Sequence, residues 1–318
     1  MPSKITVPEI RARKATRGQG EKLAMVTAYD ATFARMLDAA GVDAMLVGDS
    51  LGMVIQGGSS TLPVTVEEIC YHGRAVARGV QRAHIIGDMP FMSYHASVEQ
   101  AVMNAGRMMK EGGFESVKLE GGKEVAEVIL RLVRMGIPVV GHVGLMPQRV
   151  HTMGGFKVQG RNAVDAEAVL EDAIAVADAG AFALVVEGVP APLAERITHA
   201  VDIPTIGIGA GASCDGQILV SYDLLGLNDT LKPKFVKRYE QFFRRGVEAA
   251  RAYVEEVRDG VFPDVEHSFG FKGEPRPARV SARFPTLEAM TLAEPHSVED
   301  DVPAYIALAT TPVYGPTQ

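Results

Sequence analysis

Short apolar runs alternate with longer amphipathic stretches along most of the chain. The runs, among them AMLVGD and ALVVEG, are rich in Val, Ile and Leu and do not alternate between apolar and polar positions. Continuous runs of this kind are typical of parallel strands that are buried on both faces. About eight strand–helix units within about 250 residues favour a (β/α)8 TIM barrel, an α/β fold, over an open, doubly wound sheet.

The structural alternative is an open dinucleotide-binding sheet. No GxGxxG motif opens a helix after the first predicted strand, KLAMVTAYD, and the glycines of IGIGAG at the seventh strand have a different spacing. The barrel is therefore the predicted fold. Helices are predicted at residues 31–41, 65–79, 97–113, 123–136, 165–180, 191–201 and 234–257, and the last is expected to close the barrel.

The two ends of the chain lack this regular pattern. The basic stretch PSKITVPEIRARKATRGQGEK has no apolar core of a secretory signal, and it is interpreted as a solvated arm before the first strand. Prolines recur after Ser268 and periodicity is weak, so residues 270–318 are predicted to form an extended or disordered tail. The sequence thus predicts a single barrel domain over residues 1–269, with an N-terminal arm and a C-terminal tail.

The composition narrows the class of protein. Hydrophobic residues make up 47% and charged residues 22% of the 318 residues, as in soluble globular proteins with a sizeable core. A net charge of -7 without a basic stripe argues against nucleic-acid binding. No apolar run approaches the ~20 residues that cross a bilayer, and the two cysteines form neither a disulfide framework nor a CxxC metal pattern. A cytoplasmic protein is expected.

Acidic residues close several of the predicted strands. A buried strand end carries a charge only where that charge is paired, hydrated or bound to a metal, because burying it alone is costly. In a barrel these strand ends converge on one mouth, which is the functional face. Strands two, three, four and six are predicted to end in Asp49, Asp88, Glu120 and Glu187, and strand five in His142.

The grouped carboxylates indicate a divalent metal site. Carboxylates that cluster without a cation repel each other and raise their pKa values, and hard oxygen ligands suit Mg²⁺ better than zinc. Strand alternation points Lys118 to the same face as Glu120, where its positive charge would reduce the repulsion between the carboxylates. A 2-oxo acid could chelate such a metal, which would stabilise the enolate formed when the neighbouring carbon loses a proton.

Each of these residues taken alone has a simpler interpretation. A strand-end aspartate is often a helix N-cap or a loop residue. Lys118 could be a structural ion-pair partner of Glu120, and His142 could be a hydrogen-bonded structural histidine. Glu187, in the apolar run ALVVEGVP, could be a satisfied buried acid or a general base. The grouping on one rim, rather than any single residue, favours a functional site.

Several long strings resemble the ketopantoate hydroxymethyltransferase family. They are TAYDATFARMLDAAGVDAMLVGDSLGMVIQGGSSTLPVT, DMPFMSY, VKLEGG, GHVGLMPQ, GGFKVQGR and IPTIGIGAGASCDGQILV, and the resemblance covers Ile5 to Phe269. It implies a Mg²⁺-dependent barrel of the phosphoenolpyruvate/pyruvate superfamily. Such an enzyme moves a one-carbon unit from 5,10-methylenetetrahydrofolate to 3-methyl-2-oxobutanoate, giving 2-dehydropantoate in the biosynthesis of pantothenate, the coenzyme A precursor.

The resemblance also implies a role for each matching residue. The metal-binding set corresponds to Asp49, Asp88 and Glu120. The substrate-contacting set corresponds to Asp49, Ser50, Asp88 and Lys118, with His142 in a supporting position. Glu187 matches the proton acceptor of the family. Family members commonly assemble as decamers, so a homodecamer is expected.

Two other functions are weighed against this one. A lyase or mutase of the same superfamily would cleave or rearrange a 2-oxo acid without folate, and a non-catalytic barrel would only bind a metabolite. Retention of the whole charged set argues against the second. The departures from the family pattern are small: Met146 stands where a threonine is common, and Gly188 where a larger residue is common.

Overall fold

The computed structural model describes residues 3–15, 21–229 and 233–269. Eight parallel strands form a closed barrel in chain order, and the last strand pairs with the first. This confirms the predicted (β/α)8 fold class. The strands are β1 (Leu23–Thr27), β2 (Ala44–Val47), β3 (His84–Asp88), β4 (Ser116–Lys118), β5 (Val139–Gly144), β6 (Ala183–Glu187), β7 (Thr205–Ile208) and β8 (Gly216–Leu219).

Helices follow most of the strands, close to the predicted positions. At Thr65, for example, the side chain accepts from Glu68 N at 3.2 Å, and the Glu68 carboxylate accepts from Thr65 N at 2.8 Å, so a capping box fixes this helix start. The helices are α1 (Val7–Ala15), α2 (Ala31–Ala39), α3 (Leu51–Val54), α4 (Val66–Gly79), α5 (Val98–Arg107), α6 (Ala126–Arg134), α7 (Val150–Met153), α8 (Ala163–Asp178), α9 (Ala191–Ala200), α10 (Ser221–Leu224) and α11 (Phe242–Arg258). A π-helical turn, Met108–Gly112, extends α5, and 3-10 turns form at Lys123–Val125 and Pro147–Arg149.

The strand side chains divide between two apolar cores. In β2, Leu46 points into the barrel, whereas Met45 and Val47 pack against the surrounding helices. In β3, Ile86 and Ile85 divide in the same way. Both faces of β2 and β3 are therefore buried, which explains why these sequence runs do not alternate.

The seventh strand is not followed by a helix, and the sequence pattern predicts none at this point either. Residues 209–215, all of them described, connect β7 to β8 as a loop without a helix. Gly209 and Gly211 take up positive φ angles of 61° and 80° there, a conformation that glycine adopts without steric cost. A tight turn with two glycines thus connects β7 to β8, where a helix usually connects consecutive strands of such a barrel.

The N-terminal segment is a helix and not the solvated arm that was expected. Ile10 of α1 is only 2% exposed and packs with Leu23 and Ile218 in the core inside the barrel. Lys14 Nζ donates to the backbone oxygen of Thr198 at 2.5 Å and to Asp215 Oδ2 at 2.9 Å. One apolar side chain and one buried ion pair therefore dock α1 on the amino-terminal ends of the strands.

The described chain divides into two compact units, the first ending at Glu240 and the second beginning at Gln241. The second unit contains α11, which begins at Phe242 and not at residue 234 as predicted. No helix among the described residues is long and apolar enough to cross a membrane. The predicted tail, residues 270–318, lies outside the described residues, and the single domain over residues 1–269 stays a prediction.

Candidate active site

The carboxyl ends of five neighbouring strands bring the predicted charged residues together. Asp88 and Glu187 are the last residues of β3 and β6, and Asp49 and Glu120 each lie two positions beyond the ends of β2 and β4. His142 was expected to end strand five, but it lies inside β5, two residues before Gly144. The register nevertheless pairs His142 with Val185, which lies two residues before Glu187 on the same face of β6.

A buried lysine lies among the carboxylates. Lys118 Nζ is 2.8 Å from Asp88 Oδ1 and 3.9 Å from Glu120 Oε1. The expectation that Lys118 and Glu120 face the same way is thus confirmed. Asp88 Oδ2 accepts from the backbone N–H of Asp49 at 3.2 Å. Asp49, Asp88, Glu120 and Lys118 are each 4% exposed or less, so these charges interact with little screening by water.

The carboxylates of this cluster differ in their affinity for protons. Burial, followed by repulsion from Asp88 and Glu120, raises the pKa of Asp49 well above its usual value. Burial also raises the pKa of Asp88, although Lys118 acts against it. Glu120 behaves in the opposite way: burial acts to raise its pKa, but His142 and Lys118 outweigh it and the pKa is lowered. Negative charge is therefore in excess around Asp49 and Asp88.

His142 links the cluster to Glu187. Its Nδ1 is 3.5 Å from Glu120 Oε1, and its Nε2 is 3.3 Å from Glu187 Oε2. Burial and the Lys118 charge act to lower the pKa of His142, but the two carboxylates outweigh them and raise it to about 9. The side chain of Glu187 is 18% exposed, more than any of the cluster residues. Glu187 therefore lies on the solvent side of His142, within ion-pair distance of its Nε2.

Ser50 is held beside the cluster by a buried tyrosine. Its Oγ is 2.8 Å from the hydroxyl of Tyr29, whose pKa is strongly raised by burial. A Cβ placed on Gly48 would lie 2.9 Å from Ser50 Oγ and 3.5 Å from Asp88 Oδ2. Only a glycine therefore leaves the predicted substrate-contacting hydroxyl this close to the carboxylates.

Two further site residues were not identified from the sequence. Gln148 Nε2 donates to Asp49 Oδ2 at 2.9 Å, and Tyr94 OH donates to Gln148 Oε1 at 2.8 Å. Both side chains are neutral and lie in loops, so neither the charge pattern nor the strand-end pattern marks them. Their only signal is that they fall within the strings GHVGLMPQ and DMPFMSY.

In this arrangement the carboxylates lie around the ammonium group of Lys118 and do not form a complete set of metal ligands. Among residues 3–15, 21–229 and 233–269, no group of three or more His, Cys, Asp or Glu side chains is placed so that it could hold a metal ion. The donor atoms are nevertheless hard carboxylate oxygens, and the negative charge is in excess. The cluster can attract a cation and bind an anionic group through Lys118, and the more exposed Glu187 carboxylate beside it can accept a proton.

Solved structures similar to this chain are barrels with little sequence identity to it. A phosphoenolpyruvate phosphomutase from Streptomyces platensis subsp. rosaceus is 14% identical, with a TM-score of 0.54 over 80% of this chain and 88% of that one. A 2,3-dimethylmalate lyase, a member of the PEP mutase/isocitrate lyase superfamily, is 15% identical, with a TM-score of 0.53 over 86% of this chain and 93% of that one. At such identity these structures support the fold alone.

Sequence comparison identifies the family. A relative from Syntrophotalea carbinolica, named 3-methyl-2-oxobutanoate hydroxymethyltransferase, is 55% identical over 85% of this chain and 100% of its own length. A relative of the same name from Anaeromyxobacter sp. is 56% identical over 84% of this chain and 88% of its own. The family model for ketopantoate hydroxymethyltransferase matches residues 4–265. The predicted resemblance and the prediction of a transferase are confirmed, and the chain belongs to the ketopantoate hydroxymethyltransferase family.

Proposed function

We propose that the chain transfers a hydroxymethyl group from 5,10-methylenetetrahydrofolate to 3-methyl-2-oxobutanoate, giving 2-dehydropantoate, with Mg²⁺ bound at the mouth of the barrel. The family and the names of the relatives support the acceptor and the reaction class. The observation that carries the proposal is the buried cluster of Asp49, Asp88, Glu120 and Lys118, with the His142–Glu187 pair beside it. A homodecamer and a cytoplasmic location stay predictions.

The residues present fit a divalent cation. Asp49, Asp88 and Glu120 offer hard oxygen atoms, and Lys118 supplies a single ammonium group among these three buried carboxylates. When bound, Mg²⁺ would polarise the oxygens of a 2-oxo acid and stabilise negative charge that develops on them. Because Lys118 Nζ now lies among the carboxylates, these side chains would draw together around the ion.

The other residues would bind the substrate and move its proton. Lys118 and the Ser50 hydroxyl are placed to fix the carboxylate end of the 2-oxo acid. Glu187 would accept the proton from C3, and the electron pair of that C–H bond would form the enolate. Water adds to the methylene carbon and both of its C–N bonds break, so that the two folate nitrogens take the protons of the water and the carbon leaves as formaldehyde. The enolate carbon then attacks this formaldehyde carbon, and the oxygen becomes the hydroxyl group by taking the proton that Glu187 had accepted. His142 Nε2, 3.3 Å from Glu187 Oε2, would keep that carboxylate oriented.

An assay with the full chain tests the whole proposal. We expect 2-dehydropantoate to form from 3-methyl-2-oxobutanoate only when methylenetetrahydrofolate is present, and we expect excess EDTA to abolish its formation. Cleavage or rearrangement of a 2-oxo acid without folate would instead support the lyase or mutase alternative. No turnover with both substrates and Mg²⁺ would overturn the proposal.

A substitution of Glu187 tests the proton transfer separately. In Glu187→Gln, we expect exchange of the C3 proton of 3-methyl-2-oxobutanoate with deuterated solvent to fall by roughly 10²–10⁴-fold, as when a general base is removed. Exchange can be followed by NMR without the folate. The matched control is Glu195→Gln, because Glu195 is an exposed glutamate of α9. Unchanged exchange in Glu187→Gln would remove Glu187 from this step.

A further inference from the structure

One glutamine joins the ends of three neighbouring strands at the mouth of the barrel. Gln148 lies in the 3-10 turn after β5 and is only 4% exposed. Its Nε2 donates to Asp49 Oδ2 at 2.9 Å and to the backbone oxygen of Met89 at 3.0 Å. Its backbone N–H donates to Glu120 Oε2 at 3.1 Å. The same residue therefore holds one oxygen of each of two carboxylates in the charged cluster.

A buried tyrosine fixes the direction of the glutamine amide. The hydroxyl of Tyr94, a residue 1% exposed, donates to Gln148 Oε1 at 2.8 Å and accepts from the backbone N–H of Glu120 at 3.1 Å. The hydroxyl is also 3.1 Å from the backbone oxygen of Glu120. An amide rotated by 180° would set its oxygen against the backbone oxygen of Met89, which can only accept.

We propose that Gln148 and Tyr94 are positioning residues that hold Asp49 and Glu120 in the orientation in which these carboxylates bind a divalent cation. The inference rests on the metal-dependent function proposed above. Gln148 Oε1 is bonded to Tyr94, so Gln148 acts through its N–H groups on the carboxylates and not as a ligand. Partners of this kind orient ligating carboxylates and, when they are removed, typically lower metal affinity by roughly 10–100-fold.

The geometry also explains why both residues are needed. Asp49 and Glu120 follow different strands, β2 and β4. Gln148 connects them through atoms of one residue, and Tyr94 connects Gln148 to the backbone of Glu120. Removal of either residue leaves one carboxylate oxygen or one amide with fewer bonds inside a buried site.

The test measures binding of Mg²⁺ alone to the full-length protein by titration calorimetry. We expect the dissociation constant to rise roughly 10–100-fold in Gln148→Met and about tenfold in Tyr94→Phe, which removes a single oxygen atom. The melting temperature Tm in excess EDTA is measured alongside, so that metal-free stability is known for each variant. Gln217→Met is the control, because Gln217 is exposed in β8 and its Nε2 donates to the backbone oxygen of Gly211 at 2.9 Å.

The outcomes separate this inference from the proposed function. Wild-type affinity for Mg²⁺ in both variants, even with a lowered Tm, would show that the two residues only stabilise the fold and would overturn the inference. A wild-type chain that binds no Mg²⁺ would overturn the metal-dependent function and this inference with it. Weaker binding in both variants, with Gln217→Met unchanged, supports the inference.

Discussion

The two ends of the barrel both contain buried charges, but they balance them differently. At the amino-terminal end, Asp215 Oδ2 accepts from Lys14 Nζ at 2.9 Å and from the backbone N–H of Thr205 at 2.9 Å. Asp43 accepts from the backbone N–H of Ala24 at 2.9 Å and lies 3.3 Å from Arg82 Nη2. Each acid at this end thus has a cation and a backbone donor of its own.

At the opposite end, three carboxylates group around one lysine. Lys118 Nζ lies within 4.0 Å of both Asp88 and Glu120, and Asp49 accepts from the uncharged amide of Gln148. The pKa values of Asp49 and Asp88 are raised as a result, first by burial and then by repulsion between the carboxylates. The comparison teaches that buried charge alone does not mark a site. What marks it is charge that the fold leaves unbalanced.

The largest expected effect is on turnover and comes from Lys118→Met, which removes the ammonium group from the carboxyl-terminal end of the barrel. We expect turnover to fall roughly 10²–10³-fold, as when a donor to a developing charge is lost. Steady-state kinetics with both substrates measure this effect. Lys123→Met is the control, because Lys123 follows the same strand but its ammonium pairs with Glu171 at the surface. Wild-type kinetics in Lys118→Met would mean that Lys118 is a structural ion-pair partner, like Lys14 at the amino-terminal end of the barrel.

Lys14→Met tests the amino-terminal end of the barrel, and it should lower the free energy of unfolding without changing turnover. Loss of one partner of a buried ion pair costs about 3–5 kcal/mol in the free energy of unfolding, because Asp215 is left buried without its cation. Urea denaturation measures this loss, and turnover well below the Tm should match wild type. Arg196→Met, which breaks an exposed pair with Glu167, should cost less than about 1 kcal/mol. An equal, small loss in the two variants would contradict the comparison.

The smallest effect is a pH dependence of the metal-free protein. The pKa of His142 is raised from 6.5 to about 9, so the folded state binds its proton more tightly than the unfolded state. That stabilisation is complete below pH 6.5 and is lost as the pH rises through 9, by roughly 3 kcal/mol in total. Urea denaturation in EDTA at several pH values measures it. His142→Gln should flatten the dependence, whereas the exposed-site control His199→Gln should keep it.

Most of the fold follows from the sequence because the strands of a closed parallel barrel are buried on both faces. Their continuous Val, Ile and Leu runs therefore stand out, and each carboxylate at a strand end could be placed from its position alone. The end of strand five was predicted two residues too early, at His142 and not at Gly144, because a polar residue inside a strand looks like the end of the apolar run. No helix was predicted between β7 and β8 and none forms there, because the glycines of this stretch favour a tight turn.

Features that depend on contacts between distant segments were missed. The stretch VPEIRARKA has only Val7 and Ile10 as large apolar residues, and its docking combines their packing with the contact of Lys14 to Asp215. The sequence pattern cannot show an ion pair between such distant residues. Gln148 and Tyr94 were missed for a similar reason, because their roles lie in hydrogen bonds that join separate loops.

The docking of α1 has a consequence for the order in which the molecule is made. Lys14 and Asp215 are 201 positions apart, and β1 is completed on one side only when β8 arrives. A nascent chain that has reached Glu187 already carries every charged residue of the site, yet the first strand still has an open edge and the barrel an open base. Long-range closure of this kind is slow compared with local contacts. The site can therefore acquire its shape only after translation has passed Leu219.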